Sequence, residues 1–314
     1  MFSEFDFWIL FGITVAILFF IDLYITDKRK GKITLKASII WSGVWISTAL
    51  LFDLLIYFFL ESGHTKAVEF LTGFIIEKSL SVDNLFVFLM IFRVMAVPTA
   101  SQPHVLKWGI LSAIVFRIIF ILTGVGLIKL FHPVIYIFGL ILLFASYKMA
   151  FGVDKDIEYE KNPLIRLATK YLNFKPGFYG KHFFTRMDRK FYATTLFLTF
   201  LFIESSDIIF AVDSIPAVIA ITKDTFIIIS SNIFAILGLR ALYFVLAEMA
   251  DIFVYLKYGV AIILFFVGVK MLSSEYFTIS TPLSLIIILT LLTGSILLSF
   301  THKKKTTKRP QLKH

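Results

Sequence analysis

Glu204-Ser-Ser-Asp207-Ile-Ile-Phe-Ala-Val-Asp213 decides how this chain folds, because three carboxylates sit inside a run, 191–214, that is otherwise apolar enough to cross a membrane. A second stretch of the same kind, Glu77-Lys-Ser-Leu-Ser-Val-Asp83-Asn84, lies inside the run 67–92. A carboxylate at the centre of a bilayer costs roughly 2.5–3.5 kcal/mol on the lenient insertion scale, and several together carry a penalty on the order of ten kcal/mol. A proton, a cation or a basic side chain must offset it, so intramembrane acids mark a candidate functional site.

The rest of the composition says why a membrane is the right solvent. Hydrophobic residues make up 58% of 314, and phenylalanine alone contributes 37. An ordinary soluble domain is far less apolar, so the fold class expected is an all-α polytopic membrane protein. No cysteine is present, which excludes disulfides, thiolate metal sites and thiol catalysis. The first 26 residues carry a long apolar run with no basic leader or small-residue cleavage site, which reads as a retained span rather than a signal peptide.

A helical span needs about 20 mostly apolar residues. About nine are expected, at 7–26, 38–60, 67–92, 105–130, 133–151, 191–214, 225–247, 252–272 and 281–300. With the N-terminus outside and the C-terminus cytoplasmic, 23 Lys and Arg fall in inner segments, and only Lys66, Lys129 and Lys223 fall outside. That bias orients a multi-pass protein of the cell inner membrane. The net charge of +10 then reports loops facing anionic lipid, and the tail Lys303-Lys-Lys-Thr-Thr-Lys-Arg309 is read the same way and not as a nucleic-acid contact.

Residues 152–190 interrupt the apolar pattern with nine basic and five acidic side chains, Pro163, Pro176, Gly177 and Gly180. They read as a cytoplasmic connector that could engage protein partners. On either side the sequence echoes itself: Ser81-Val-Asp83-Asn-Leu-Phe86 against Ser205-Ser-Asp207-Ile-Ile-Phe210, Arg117 against Arg240, and Lys148-Met149 against Lys270-Met271. Each unit holds three spans, an odd number, so the second enters from the opposite side. The expectation is two three-helix inverted repeats, the plan of many secondary transporters. The organisation is then an N-terminal helix pair at 1–66, a first repeat at 67–151, the connector at 152–190, a second repeat at 191–272, and a last span with its basic tail at 273–314.

Glu204 and Asp207 are three apart, about 60° around a helix, so they can share one ion. Glu77 and Asp83 are six apart, about 240° around a straight helix, and converge only if the helix kinks at Ser79-Leu-Ser81. Ser205, Ser206, Ser214 and Pro216 permit similar unwinding, which would bring Asp213 in. The metal-ligating candidates are therefore Glu77, Asp83, Asn84, Glu204, Asp207 and Asp213, with Arg117 and Arg240 balancing charge. An all-oxygen set suits Mn²⁺, Mg²⁺ or Ca²⁺, whereas Zn²⁺ and Cu⁺ call for His or Cys. The alternative is that the acids pair with the two arginines only to hold helices together, but the acids outnumber them. The six histidines fall at span ends, in loops or in the tail. Lys148 and Lys270 are explained by helix ends and snorkelling, while Asp22 and Asp53 are either helix-end aspartates or further ligands from the first two spans.

The two acidic motifs, Glu77-Lys-Ser-Leu-Ser-Val-Asp-Asn-Leu-Phe-Val-Phe88 and Phe202-Ile-Glu-Ser-Ser-Asp-Ile-Ile-Phe-Ala-Val-Asp-Ser-Ile-Pro-Ala217, resemble those of the TerC/Alx family of integral membrane proteins. The resemblance runs over nearly the whole chain. It implies metal-ion homeostasis, chiefly Mn²⁺ export, with a history of tellurite resistance, and it places the six candidate ligands around the cation path. Some members are proposed to load metal onto exported enzymes, so a non-transporting scaffold is the alternative. An enzyme is not expected, because no His-Glu-x-x-His, no Gly-x-Gly-Asp and no Ser/His pair at depth is present. No cofactor is expected beyond the transported ion.

Overall fold

The apolar runs become helices. The structure, a computed structural model, describes residues 3–28, 34–131, 133–151, 172–187, 190–249, 255–273, 277 and 279–307, though a few side chains within these, including those of Asp22, Asp83 and Asp213, lie outside the described ones. In chain order the helices are α1 (Glu4–Lys28), α2 (Leu35–Phe59), α3 (Gly63–Val94), α4 (Gln102–Leu130) and α5 (Val134–Phe151). A hairpin, β1 (Phe184–Met187) and β2 (Lys190–Ala193), separates these from α6 (Thr195–Ile219), α7 (Thr225–Ile236), α8 (Leu239–Met249), α9 (Leu256–Leu272) and α10 (Thr281–Thr307).

Length and composition single out five described helices that can cross a membrane: α1, α2, α4, α6 and α10. The pair α7 and α8, bent by 43°, makes a sixth if counted as one span. Helix α3 is long but holds Glu69, Glu77, Lys78 and Asp83, and α5 and α9 are shorter. The outer surface is apolar: Ile13, Ile17, Leu51, Phe58, Ile119, Phe144, Phe265 and Leu297 all point outward. Inside, eleven consecutive residues of α7, Phe226 to Ile236, are buried. A helix buried all round and wrapped by its neighbours is the core of the bundle.

Aromatic rings fix the N-terminal helices to that core. Phe7 and Phe11 of α1, Phe52 of α2, Phe70 of α3, and Phe226 and Phe234 of α7 pack edge to face or tilted, the closest centroids, Phe52 and Phe234, 4.8 Å apart. Helix α3 packs against α7, α4 against α6, and α5 against α9. The last pair comes close because Gly139 and Gly268 face each other's backbones; a Cβ added at Gly139 would lie 2.7 Å from Leu272 side-chain atoms.

Three local expectations need correction. The sixth apolar run does not begin as helix at 191: residues 190–193 pair antiparallel with 184–187, and helix starts at Thr195. The Thr194 hydroxyl lies 3.0 Å from both the His182 and Phe183 carbonyls, and the Phe184 ring packs tilted against Phe197 with centroids 4.6 Å apart, so the hairpin is docked on α6. Neither α3 nor α6 is broken at its serines. The Ser79, Ser205 and Ser206 hydroxyls donate to the carbonyls four residues back (2.6–2.9 Å), which satisfies them without unwinding the helix. The break falls instead at Leu237-Gly238, between α7 and α8.

Candidate functional site

Four helices meet around one guanidinium. Arg117, at the middle of α4, is fully buried, and so is Glu77 of α3. Its Nη1 donates to Glu77 Oε1, to Ser214 Oγ of α6 (3.3 Å) and to Asn232 Oδ1 of α7 (3.3 Å), and its Nη2 donates to Asp207 Oδ1 of α6 (3.4 Å). The helical period explains why these groups converge. Asp207 and Ser214 are seven apart and therefore on one face of α6. On α7, Asn232 donates its amide to the Ile228 carbonyl (3.2 Å), which turns its oxygen towards Arg117.

The arrangement leaves acceptors over. Among the described residues, Glu77 Oε2 and both oxygens of Glu204 are buried with no hydrogen-bond partner, and so is Arg117 Nε. Glu204 is only 4% exposed. The Ser112 hydroxyl of α4 reaches towards it and also lies 2.7 Å from the Trp108 carbonyl. A buried acceptor left unmade costs about 1–3 kcal/mol, more when charged. Beside Glu204 the helices α4 and α6 approach at Gly109, where an added Cβ would lie 3.4 Å from Glu204 Oε1. Gly109 and Asp207 also line a cavity of about 20 Å³, otherwise walled by apolar residues including Leu85, Phe88, Ile110 and Ile203. That is room for a water or a small ion.

Of the residues expected here from sequence, Glu77, Asp207 and Arg117 are in one network, and Glu204 lies one turn from Asp207 on the same helix. Asn84 is buried two turns along α3 from Glu77 and on the same face. Asp83 and Asp213 belong to α3 and α6, but their side chains lie outside the described ones. Arg240, on α8, is buried and has an interaction of its own; among the described residues no ion pair joins it to Glu77, Glu204 or Asp207. Among the described residues, no three carboxylates or imidazoles stand close enough to hold a metal ion by themselves.

Two contributors were not expected. Asn232 is one of only two asparagines in the apolar runs, the other being Asn84, and that rarity was the signal available. Lys78, next to Glu77, points the other way: its Nζ donates to the carbonyls of Ala235 (3.0 Å) and Leu237 (3.4 Å), where the helix breaks. Further along α3, Glu69 Oε2 accepts from Thr222 (2.6 Å), and Lys66 meets Asp224 at 2.8 Å.

A bundle of apolar helices built around a buried Arg–carboxylate network defines an integral membrane protein with a polar centre. Residues 62–307 match the Integral membrane protein TerC family, and the chain belongs to it. It is 45% identical over 282 residues to proteins of Shigella flexneri and Escherichia coli K12 that carry the provisional name membrane-bound redox modulator Alx, covering 88% of each chain. It is 41% identical over 292 residues to an uncharacterised membrane protein of Myxococcus xanthus, covering 93% of this chain and 91% of that one. No solved structure matches the chain.

Proposed function

We propose that the protein is a secondary transporter, and not an enzyme, that exports hard divalent cations, Mn²⁺ foremost, across the cell inner membrane. The observation that carries this is the surplus of buried carboxylate oxygen on α3 and α6: among the described residues, Glu77 Oε2 and both oxygens of Glu204 have no hydrogen-bond partner. Glu77, Glu204 and Asp207, with Asp83, Asn84 and Asp213 from the same two helices, form the proposed cation path. Oxygen donors of this kind suit Mn²⁺ or Mg²⁺ and not softer metals. Arg117 acts as a resident counter-charge that an arriving dication must displace from Glu77 and Asp207. Protons compete for the same ionised oxygens, so a proton gradient is the proposed driving force.

Nine spans in two inverted repeats complete the proposal. Matching helix packings support it: exchange α3 with α6 and α4 with α7/α8, and the α3–α7 contact becomes the α6–α4 contact, both present, while α5 and α9 exchange with each other and touch. The membrane-facing partners are then lipids, and the hairpin of the 152–190 segment is the surface offered to proteins.

Everted membrane vesicles test the function. Mn²⁺ uptake should occur with the parent and rise when the vesicle lumen is made acidic, so that protons leaving the lumen drive Mn²⁺ in. Asp207→Asn and Glu204→Gln should each lower it on the order of 10- to 100-fold, the range seen when a metal site loses a partner. Parental uptake in both variants at equal expression would refute the carboxylate path.

A second reading joins the name of the relatives, a redox modulator, to the scaffold alternative raised by the sequence. A membrane scaffold for redox or tellurite stress, or for loading metal onto exported proteins, would act through partners and survive loss of the acids. With no cysteine in the chain, thiol exchange cannot be its own contribution to any redox effect. Supply of a redox-active metal fits both readings.

A further inference from the structure

The break between α7 and α8 frees backbone carbonyls that a continuous helix would bond internally. Helix ends leave their last four carbonyls without intrahelical donors, and the C-terminal pole of a helix carries partial negative charge. Irregular backbone at membrane depth persists only where something satisfies it. At this break the Leu237 amide still reaches the Ile233 carbonyl (2.9 Å), and the Leu242 amide reaches the Gly238 carbonyl (3.1 Å). The Ala235 and Leu237 carbonyls instead receive the Lys78 ammonium, at 3.0 and 3.4 Å. Ala235 and Leu237 are themselves buried. The bend is further set by Gly238, whose φ of +81° suits glycine and whose missing Cβ makes room for Trp45, 2.5 Å from where that atom would stand.

An ammonium held by carbonyls at the end of a half-helix occupies the kind of place in which discontinuous helices of transporters coordinate Na⁺. We infer that the Ala235–Leu237 carbonyls form a monovalent-cation seat that Lys78 fills with a tethered charge, so that the bend needs no free ion. Three features carry this: two carbonyl acceptors exposed by a helix break, the negative end of α7 directed at them, and a cationic group from a different helix satisfying both. Lys78 is thereby a positioning residue. It holds α7 and α8 at their angle and so holds Asn232, five residues before the break, against Arg117. Removing the ammonium while leaving space should expose a seat that Na⁺ or K⁺ can enter. Removing the charge while leaving bulk should not.

The test is thermal unfolding of the purified full chain in NaCl, KCl and choline chloride at equal ionic strength. The parent should unfold at the same temperature in all three. Lys78→Ala should be lowered in choline and recover by a few degrees, saturably, in NaCl or KCl. Lys78→Met should stay low in every salt, and Lys78→Arg should behave like the parent. Should Lys78→Ala not accumulate, Lys78→Ser leaves a comparable void and takes its place. One temperature for Lys78→Ala in all three salts would overturn the inference. A Lys78→Met protein as stable as the parent would overturn it as well, since packing of the stem would then hold the break. No manganese enters these measurements, so their failure leaves the transport proposal standing and they remain informative if that proposal fails.

Discussion

Arg117 is the residue on which the buried polar centre depends, because it is the described cation that touches both Glu77 and Asp207. Removing one partner of a buried ion pair costs about 3–5 kcal/mol, since the other charge is left uncompensated. Arg117→Met should therefore destabilise the protein by about that much in thermal or denaturant unfolding. Adding Glu77→Gln should recover part of the loss, and a double variant no better than the single one would show that the pair is not the cause. At this scale the sequence singled out Glu77, Asp207 and Arg117, which the fold brings together, because charges are rare in apolar runs. It was a poor guide to their partners: Asn232 and Ser214 close the network through three-dimensional convergence that spacing within one helix cannot reveal. It also suggested that Glu77 and Asp83 would need a kink to converge, whereas Glu77 finds its counter-charge on α4 from an unbroken α3.

Among the elements, the bent pair α7 and α8 differs most from what local patterning suggests. Ile236-Leu-Gly238-Leu reads as an ordinary apolar run with a tolerated glycine, and serines and Pro216 look like better places to break. The fold inverts this, since Pro216 sits within α6 and Ser205 and Ser206 bond back along their own helix. Only the contact with Trp45 and the φ of +81° reveal Gly238 as the hinge. Gly238→Ala should lower stability by roughly 1–2 kcal/mol for the left-handed backbone, and by a further 1–3 kcal/mol or so for the crowding against Trp45. Pairing it with Trp45→Ala should relieve the crowding and not the backbone strain. Unfolding of the two variants separates the contributions, and an unchanged midpoint in Gly238→Ala would mean that the bend is not held at this residue.

For the whole molecule, the apolar runs and helices agree in position almost throughout, because hydrophobic length is the strongest signal a membrane chain carries. The hairpin at 184–193 was hidden because its strands are short and adjoin an apolar run. Orientation rests on the distribution of basic residues. Reporter fusions should place the hairpin and the tail on the cytoplasmic side and Lys66 and Lys223 on the other, and the opposite result would reverse the direction of export proposed above.

The short helices α5 and α9, joined where Gly139 meets Gly268, have a mechanical consequence. At 1.5 Å per residue, 18 and 17 residues span about 27 and 26 Å, whereas a typical hydrocarbon core is about 30 Å thick. The neighbouring α3, with 32 residues, reaches about 48 Å. On the nine-span proposal the described lengths of α5 and α9 fall short of the hydrocarbon core, and lipid beside them thins locally, at an elastic cost of fractions of a kcal/mol for each Å of mismatch. Reconstitution in phosphatidylcholines of increasing acyl length should give unfolding temperatures that fall as the bilayer thickens past the reach of this pair, and a flat series would show that the pair tilts or moves with the membrane at no cost.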